Sequence, residues 1–175
     1  ERKDTYVGFV DFSKAYDRVN RTLLWHKLNT YGIQGEMLNA LKSLYTDVNC
    51  CARLSGLDTE WFSVETGLKQ GCNMSPTLFS LYINDLAVDI KRTGAGVKIG
   101  EENLSILLFA DDIIFLAETE QDLQQKFDIL NDWCKKWRMK VNPGKTKVIH
   151  FRNPTKALSN FRFSCGEDSL VNTSY

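Results

Sequence analysis

Short apolar runs, broken at intervals by charge or glycine, mark out the elements of this chain. Residues 105–117, Ser-Ile-Leu-Leu-Phe-Ala-Asp-Asp-Ile-Ile-Phe-Leu-Ala, hold two runs of Ile, Leu and Phe split by Asp111 and Asp112. Charges interrupt these runs and breakers flank them, so they read as two buried strands with the carboxylates at the bend of a hairpin. Adjacent like charges repel, and Asp-Asp lacks the left-handed tolerance that makes Asn-Gly or Asp-Gly the usual tight turn. Turning is therefore not the pair's main task. If the site is partly buried, the pair needs a compensating cation, and hard oxygen ligands suit Mg²⁺. A solvated hairpin tip is the reading that this feature alone leaves open.

The same logic orders the rest. Residues 6–12, Tyr-Val-Gly-Phe-Val-Asp-Phe, are too continuously apolar for a one-sided strand and predict one central in its sheet. Asn20 is an N-cap for a helix through Leu24, Leu28 and Tyr31 that Gly32 ends; Met37, Leu38, Leu41, Leu44 and Tyr45 mark a second helix. Residues 50–54 and 60–66 predict two strands joined by a turn at Ser55-Gly56-Leu57-Asp58. After a loop over residues 67–75, Ser75-Pro76 starts a helix, Ser capping free amides and Pro losing nothing at the first position. Phe79, Tyr82, Ile83, Leu86 and Ile90 share one face of it, and Gly94 stops it.

Beyond the hairpin, Thr119-Glu120-Gln121-Asp122 reads as a capping box opening a long helix with Leu123, Phe127, Leu130, Cys134 and Trp137 as its buried stripe. Asn142-Pro143-Gly144 is expected to break it, and residues 147–151 form a further strand. Residues 160–165 and 169–171 are candidate short strands. The order of elements predicts an α+β domain, an antiparallel sheet with helices packed on one face.

Composition adds limits. With 175 residues, 43% of them hydrophobic, the chain is long enough to bury a substantial core as one domain. Twenty-two basic side chains against 22 acidic give no net charge, so no overall field points to nucleic acid. Cys50, Cys51, Cys72, Cys134 and Cys165 are odd in number and lack CxxC spacing, which disfavours a disulfide framework and a zinc site and suits a reducing intracellular compartment. No apolar run reaches the length of a membrane span.

Asp11 ends the first apolar strand, and Asp111-Asp112 tips another hairpin. Two neighbouring strands could thus bring separate carboxylates to one sheet edge, a site for two metal ions roughly 4 Å apart that serve in-line phosphoryl displacement. The motifs around these carboxylates carry a resemblance. Asp11-Phe12-Ser13-Lys14-Ala15-Tyr16, then Gln70-Gly71-Cys72-Asn73-Met74-Ser75-Pro76, then Phe109-Ala110-Asp111-Asp112 and Asn142-Pro143-Gly144-Lys145-Thr146-Lys147 occur in the order of a reverse transcriptase palm. Together they resemble most closely the RNA-directed DNA polymerases of non-LTR (LINE-type) retrotransposons, over about residues 6 to 152.

The resemblance implies that Asp11 and Asp111 ligate both metals, that Asp112 adds charge, and that the Phe12 carbonyl completes the shell. Two Mg²⁺ ions are implied, with Mn²⁺ as a substitute. Tyr16 would be the steric gate that excludes a ribose 2′-hydroxyl, and Gln70 with Gly71 would contact the incoming nucleotide, the glycine allowing close backbone approach. Lys145 would protonate the departing pyrophosphate; Ser75 and Pro76, although part of the motif, read as the helix start that fixes the loop. Asp17 reads as capping or pinning the following helix rather than binding metal, and Lys14, Arg18 and Arg21 as phosphate contacts or simply solvated charge. His26 and His150 have no assigned role.

By the same resemblance the partners are an RNA template, a DNA primer and dNTPs, with no membrane, and the sites of action are cytoplasm and nucleus. Residues 1–153 would be palm without fingers, and residues 154–175 the start of a truncated primer grip leading to the thumb. Fingers, thumb and an endonuclease domain would belong to the full-length parent. Two other readings remain: a non-catalytic palm kept as a scaffold or binding module, and an RNA-dependent RNA polymerase palm. Ala110, where the latter usually has Gly, and an aromatic at Tyr16 argue against it.

Overall fold

The computed structural model describes residues 4–152 and 159–174. In chain order the elements are β1 (Thr5–Val10), α1 (Ala15–Arg18), α2 (Arg21–Thr30), α3 (Gly35–Ser43), β2 (Asn49–Cys50), β3 (Arg53–Leu54), β4 (Leu57–Asp58), β5 (Phe62–Ser63) and α4 (Ser75–Arg92). There follow β6 (Val97–Ile99), β7 (Glu102–Leu104), β8 (Ile106–Phe109), β9 (Asp112–Ala117), α5 (Glu120–Trp137), β10 (Lys147–Phe151), β11 (Ser164–Cys165), β12 (Asp168–Ser169) and β13 (Val171–Ser174). They pack as two compact units, one of residues 1–15 and 83–175, the other of residues 16–82. The boundary expected between residues 153 and 154 lies outside the described residues.

The first unit is built on a five-stranded sheet in the order β13-β10-β1-β9-β8. All neighbours are antiparallel except β10 and β13, which run parallel. Strand β1 is central, as its continuous apolar run requires, with Tyr6, Val7 and Val10 buried. Strand β9 alternates: Ile113, Phe115 and Ala117 are fully buried on the face that meets α5, and Asp112 on the other face is exposed. Helix α5 begins where Thr119 Oγ1 accepts the Asp122 N–H at 3.1 Å. Its stripe Leu123, Phe127 and Leu130 is fully buried, with Phe127 edge-on to Phe115 at 5.7 Å. Among the described residues no helix is long and apolar enough to cross a membrane.

The second unit carries α2, α3 and the short paired strands. Asn20 caps α2 as expected, its Oδ1 accepting the Leu23 N–H at 3.0 Å. Arg21 is the hub of this unit rather than a phosphate contact: its guanidinium donates to the carbonyls of Tyr45, Val64, Thr66 and Gly67 and lies over the Tyr45 ring. Five donors in one planar fork let a single side chain serve several chain ends at once.

Four local expectations are corrected. The turn between the paired strands is Ser55-Gly56 alone, both at positive φ, so Leu57 and Asp58 already belong to β4. Helix α5 ends at Trp137, where Arg138 takes a left-handed φ of 57°, well before Asn142-Pro143-Gly144. The Asp111-Asp112 hairpin bends at Ala110-Asp111, with Ala110 at φ 53°, and Asp112 is the first residue of β9. Of residues 160–165 only Ser164–Cys165 is strand, and a hairpin at β6 and β7 was not anticipated.

Candidate active site: an aspartate cleft and a glutamine loop

The carboxylates meet because β1 and β9 are neighbours. Phe9 pairs with Ile114 and Val10 with Ile113, and one further step of this register sets Asp11 beside Asp112. Both line a cleft of about 440 Å³ with Phe9, Ile114 and Lys145. The Asp11 side chain is about one-third exposed (34%), and Lys145 Nζ stands 3.9 Å from its Oδ1. Asp111 is half-buried in the turn, one residue before Asp112. Phe12 is buried, bridges Val141 and rests its ring against Trp133 at 6.1 Å.

Lys145 reaches Asp11 because of the turn that carries it. Asn142 N–H donates to Asp11 O at 2.8 Å, and Asn142 O accepts from the N–H groups of Lys145 and Thr146 at 3.2 and 2.9 Å. Asp11 N–H donates to Thr146 Oγ1 at 3.2 Å, and Thr146 is completely buried. Thr146 lies in the Asn142-Pro143-Gly144-Lys145-Thr146-Lys147 motif, but nothing in a lone Thr after Lys signals that its hydroxyl holds the strand end.

The donor set suits a hard cation, for it is all oxygen. Among the described residues no group of three or more His, Cys, Asp or Glu side chains is placed to hold a metal ion.

The second unit holds the remaining motif residues. Tyr16, Gln70 and Gly71 line one cleft of about 640 Å³ together with Lys69, Cys72, Asn73, Ser75 and Pro76. The Tyr16 ring stacks on Phe79 with centroids 4.8 Å apart. The loop bearing Gln70 is laid along α1 and its end: Gly67 N–H donates to Val19 O at 2.9 Å and Leu68 N–H to Tyr16 O at 2.8 Å. A Cβ on Gly67 would come within 2.8 Å of Asp17 backbone atoms, at a φ of 83°. Only glycine fits there.

Gly71 is needed for its φ of 80° rather than for close protein contact, since a Cβ on it would meet nothing within 4 Å. Ser75 fixes the loop, donating from Oγ to Lys69 O at 2.6 Å. The cap expected of its side chain is replaced by this tie. Asp17 does not cap the following helix, which Asn20 caps; Gln70 Nε2 donates to its Oδ1 at 2.9 Å. The Cys72 thiol is held below its ordinary pKa, chiefly by a hydrogen bond from the Met74 backbone.

The family model described as "Reverse transcriptase (RNA-dependent DNA polymerase)" matches residues 1–165. The chain is 27% identical over 154 residues to the Pol polyprotein from type-2 retrotransposable element R2DM of Drosophila melanogaster, covering 88% of the chain and 14% of that protein. It is 28% identical over 159 residues to the RNA-directed DNA polymerase from mobile element jockey of Drosophila funebris, covering 86% and 17%. The chain thus spans less than a fifth of the length of either relative.

Among solved structures, telomerase from Candida albicans in complex with a TWJ fragment of telomeric RNA superposes with a TM-score of 0.65 at 14% identity, over 91% of this chain and 28% of that one. Apo telomerase from Candida tropicalis, truncated from its C-terminal domain, gives 0.62 at 21% identity, over 89% and 32%. These likenesses show a polymerase palm-type fold. With that family model matching residues 1–165 of its 175, the chain belongs to the reverse transcriptase (RNA-dependent DNA polymerase) family.

Proposed function

We propose that this domain supplies the polymerising centre of a non-LTR retroelement reverse transcriptase, joining dNTPs to a primer 3′-hydroxyl along an RNA template. One observation carries the reading: Asp11, Asp112 and Lys145 line one cleft at the end of adjacent strands, the ammonium 3.9 Å from the Asp11 carboxylate. A solvated hairpin tip would not need a buried threonine and a dedicated turn to hold the neighbouring strand end.

Members of this family use divalent metal ions. Asp11, Asp111, Asp112 and the Phe12 carbonyl would hold two Mg²⁺, or Mn²⁺ in substitution, which when bound activate the primer hydroxyl and neutralise phosphate charge. Lys145 would deliver a proton to the departing pyrophosphate, a task that needs a cation beside developing negative charge. Tyr16, backed by Phe79, would close the space a ribose 2′-hydroxyl needs. Gln70 would hydrogen-bond the nucleotide, and Gly71 would let the loop backbone turn. On this reading the protein works in cytoplasm and nucleus, with fingers, thumb and endonuclease functions in the longer parent. The direct test is divalent-dependent, RNA-templated primer extension with Asp111→Asn as the comparison.

A further inference from the structure

Strand β10 pairs with β1 only as far as Lys147 opposite Phe9. Beyond that point the Thr146 backbone turns away, its N–H going to Asn142 O. Its hydroxyl takes up the Asp11 N–H that the ladder no longer serves. Asp11 is therefore gripped at both backbone groups by one five-residue turn, through Asn142 N–H on its carbonyl and Thr146 Oγ1 on its amide. The same turn carries Lys145. The hydroxyl that closes it has no exposure to water, so an apolar replacement leaves the Asp11 N–H without its partner.

We propose that Thr146 is a positioning residue for the catalytic cleft: its buried hydroxyl locks the Asp11 strand end to the turn that carries Lys145. This sets the spacing between the metal-binding carboxylate and the proton-donating ammonium. The inference rests on the reading of Asp11 as a metal ligand, and it adds a residue that touches neither metal nor nucleotide. Thr146→Val keeps the shape and removes the hydroxyl; Thr146→Ser keeps the hydroxyl and removes a methyl.

Two readouts on the chain decide it. Amide hydrogen exchange is followed at Asp11, and Mn²⁺ affinity is measured by electron paramagnetic resonance for the wild type, Thr146→Val, Thr146→Ser and Asp11→Asn. In Thr146→Val the Asp11 amide is expected to exchange at least about ten-fold faster and Mn²⁺ to bind about ten-fold more weakly, the usual effect of losing a partner that orients a ligand. Thr146→Ser is expected to stay within about two-fold of the wild type in both. Should Thr146→Val fail to fold, Thr146→Ala against Thr146→Ser makes the same comparison. Unchanged Asp11 exchange without the hydroxyl, or a serine variant as impaired as the valine one, overturns the positioning role. Equal Mn²⁺ affinity in the wild type and Asp11→Asn instead overturns the metal reading on which it rests.

Discussion

The Gln70 side chain is oriented by Asp17: its Nε2 donates to Asp17 Oδ1 at 2.9 Å. An ionised carboxylate only accepts, so it is the amide nitrogen that must face it. The Gln70 oxygen is then the atom left to a ligand in the cleft shared with Tyr16 and Gly71. Asp17→Asn offers an oxygen and a nitrogen alike and releases that choice. Losing one hydrogen bond to a charged group in an exposed setting is worth about 1 kcal/mol, so KM for dNTP should rise roughly five-fold with kcat little changed. Single-nucleotide incorporation kinetics test this. Combined with Gln70→Ala, Asp17→Asn should add nothing, because it acts through that side chain.

Tyr16 is the second test of this cleft. Its ring is held against Phe79 at 4.8 Å with the planes 16° apart, which leaves it little freedom to swing aside. Tyr16→Ala should raise ribonucleotide incorporation relative to deoxyribonucleotide by about ten-fold or more, the scale of one lost steric exclusion. Unchanged discrimination in primer extension would remove the gate assignment.

Cysteine reactivity reports on the same loop. The Met74 backbone holds the Cys72 thiol low, whereas burial pushes Cys134 up to about 12 and Cys165 up to about 11. Thiolate is the reactive form, so iodoacetamide at pH 8 should label Cys72 well before Cys134 or Cys165 in the folded protein. Peptide mapping by mass spectrometry reads the order. Bound dNTP should slow the labelling of Cys72, since that thiol lines the Gln70 cleft.

A buried lysine gives the fold a pH signature. Lys126 is fully buried and donates to the carbonyls of Ala95, Ser105 and Leu116; burial pulls its pKa down to about 8. The unfolded chain keeps that proton to about 10.5. Between these values the unfolded state binds more protons, so rising pH favours the fold through this group. The Tm of the wild type should therefore climb relative to Lys126→Met from pH 8 towards pH 10, by up to about 3 kcal/mol of stability over the window. The paired comparison is needed because Cys134 and Cys165, whose folded pKa values are raised, lose stability as pH passes upward from 9.

What the sequence reveals depends on whether a signal is local. The central position of β1 follows from its unbroken apolar run, and the starts of α2 and α5 follow from Asn20 and Thr119, whose side chains cap amides three residues on. The pairing of Asp11 with the Asp111-Asp112 hairpin was legible because two short strands end in carboxylates. The exact bend was not, since an alanine at φ 53° carries no sequence mark of left-handed backbone. The end of α5 at Arg138 was hidden for the same reason. Arg21 and Thr146 escaped because their partners are 24 to 46 residues away for Arg21 and 135 away for Thr146. Asp17 does not cap the helix that follows it because Asn20 holds that position and a loop 53 residues away takes the Asp17 side chain.

The central claim, that the Asp11 cleft is a metal-dependent polymerising centre, meets its most direct test in primer extension on an RNA template by the full-length parent protein. The wild type should extend the primer only with Mg²⁺ or Mn²⁺ present. Asp111→Asn should reduce the rate by at least about a thousand-fold, since a neutral amide neither attracts the cation nor balances its charge. Extension that persists without divalent ions, or at the wild-type rate in Asp111→Asn, would contradict the account.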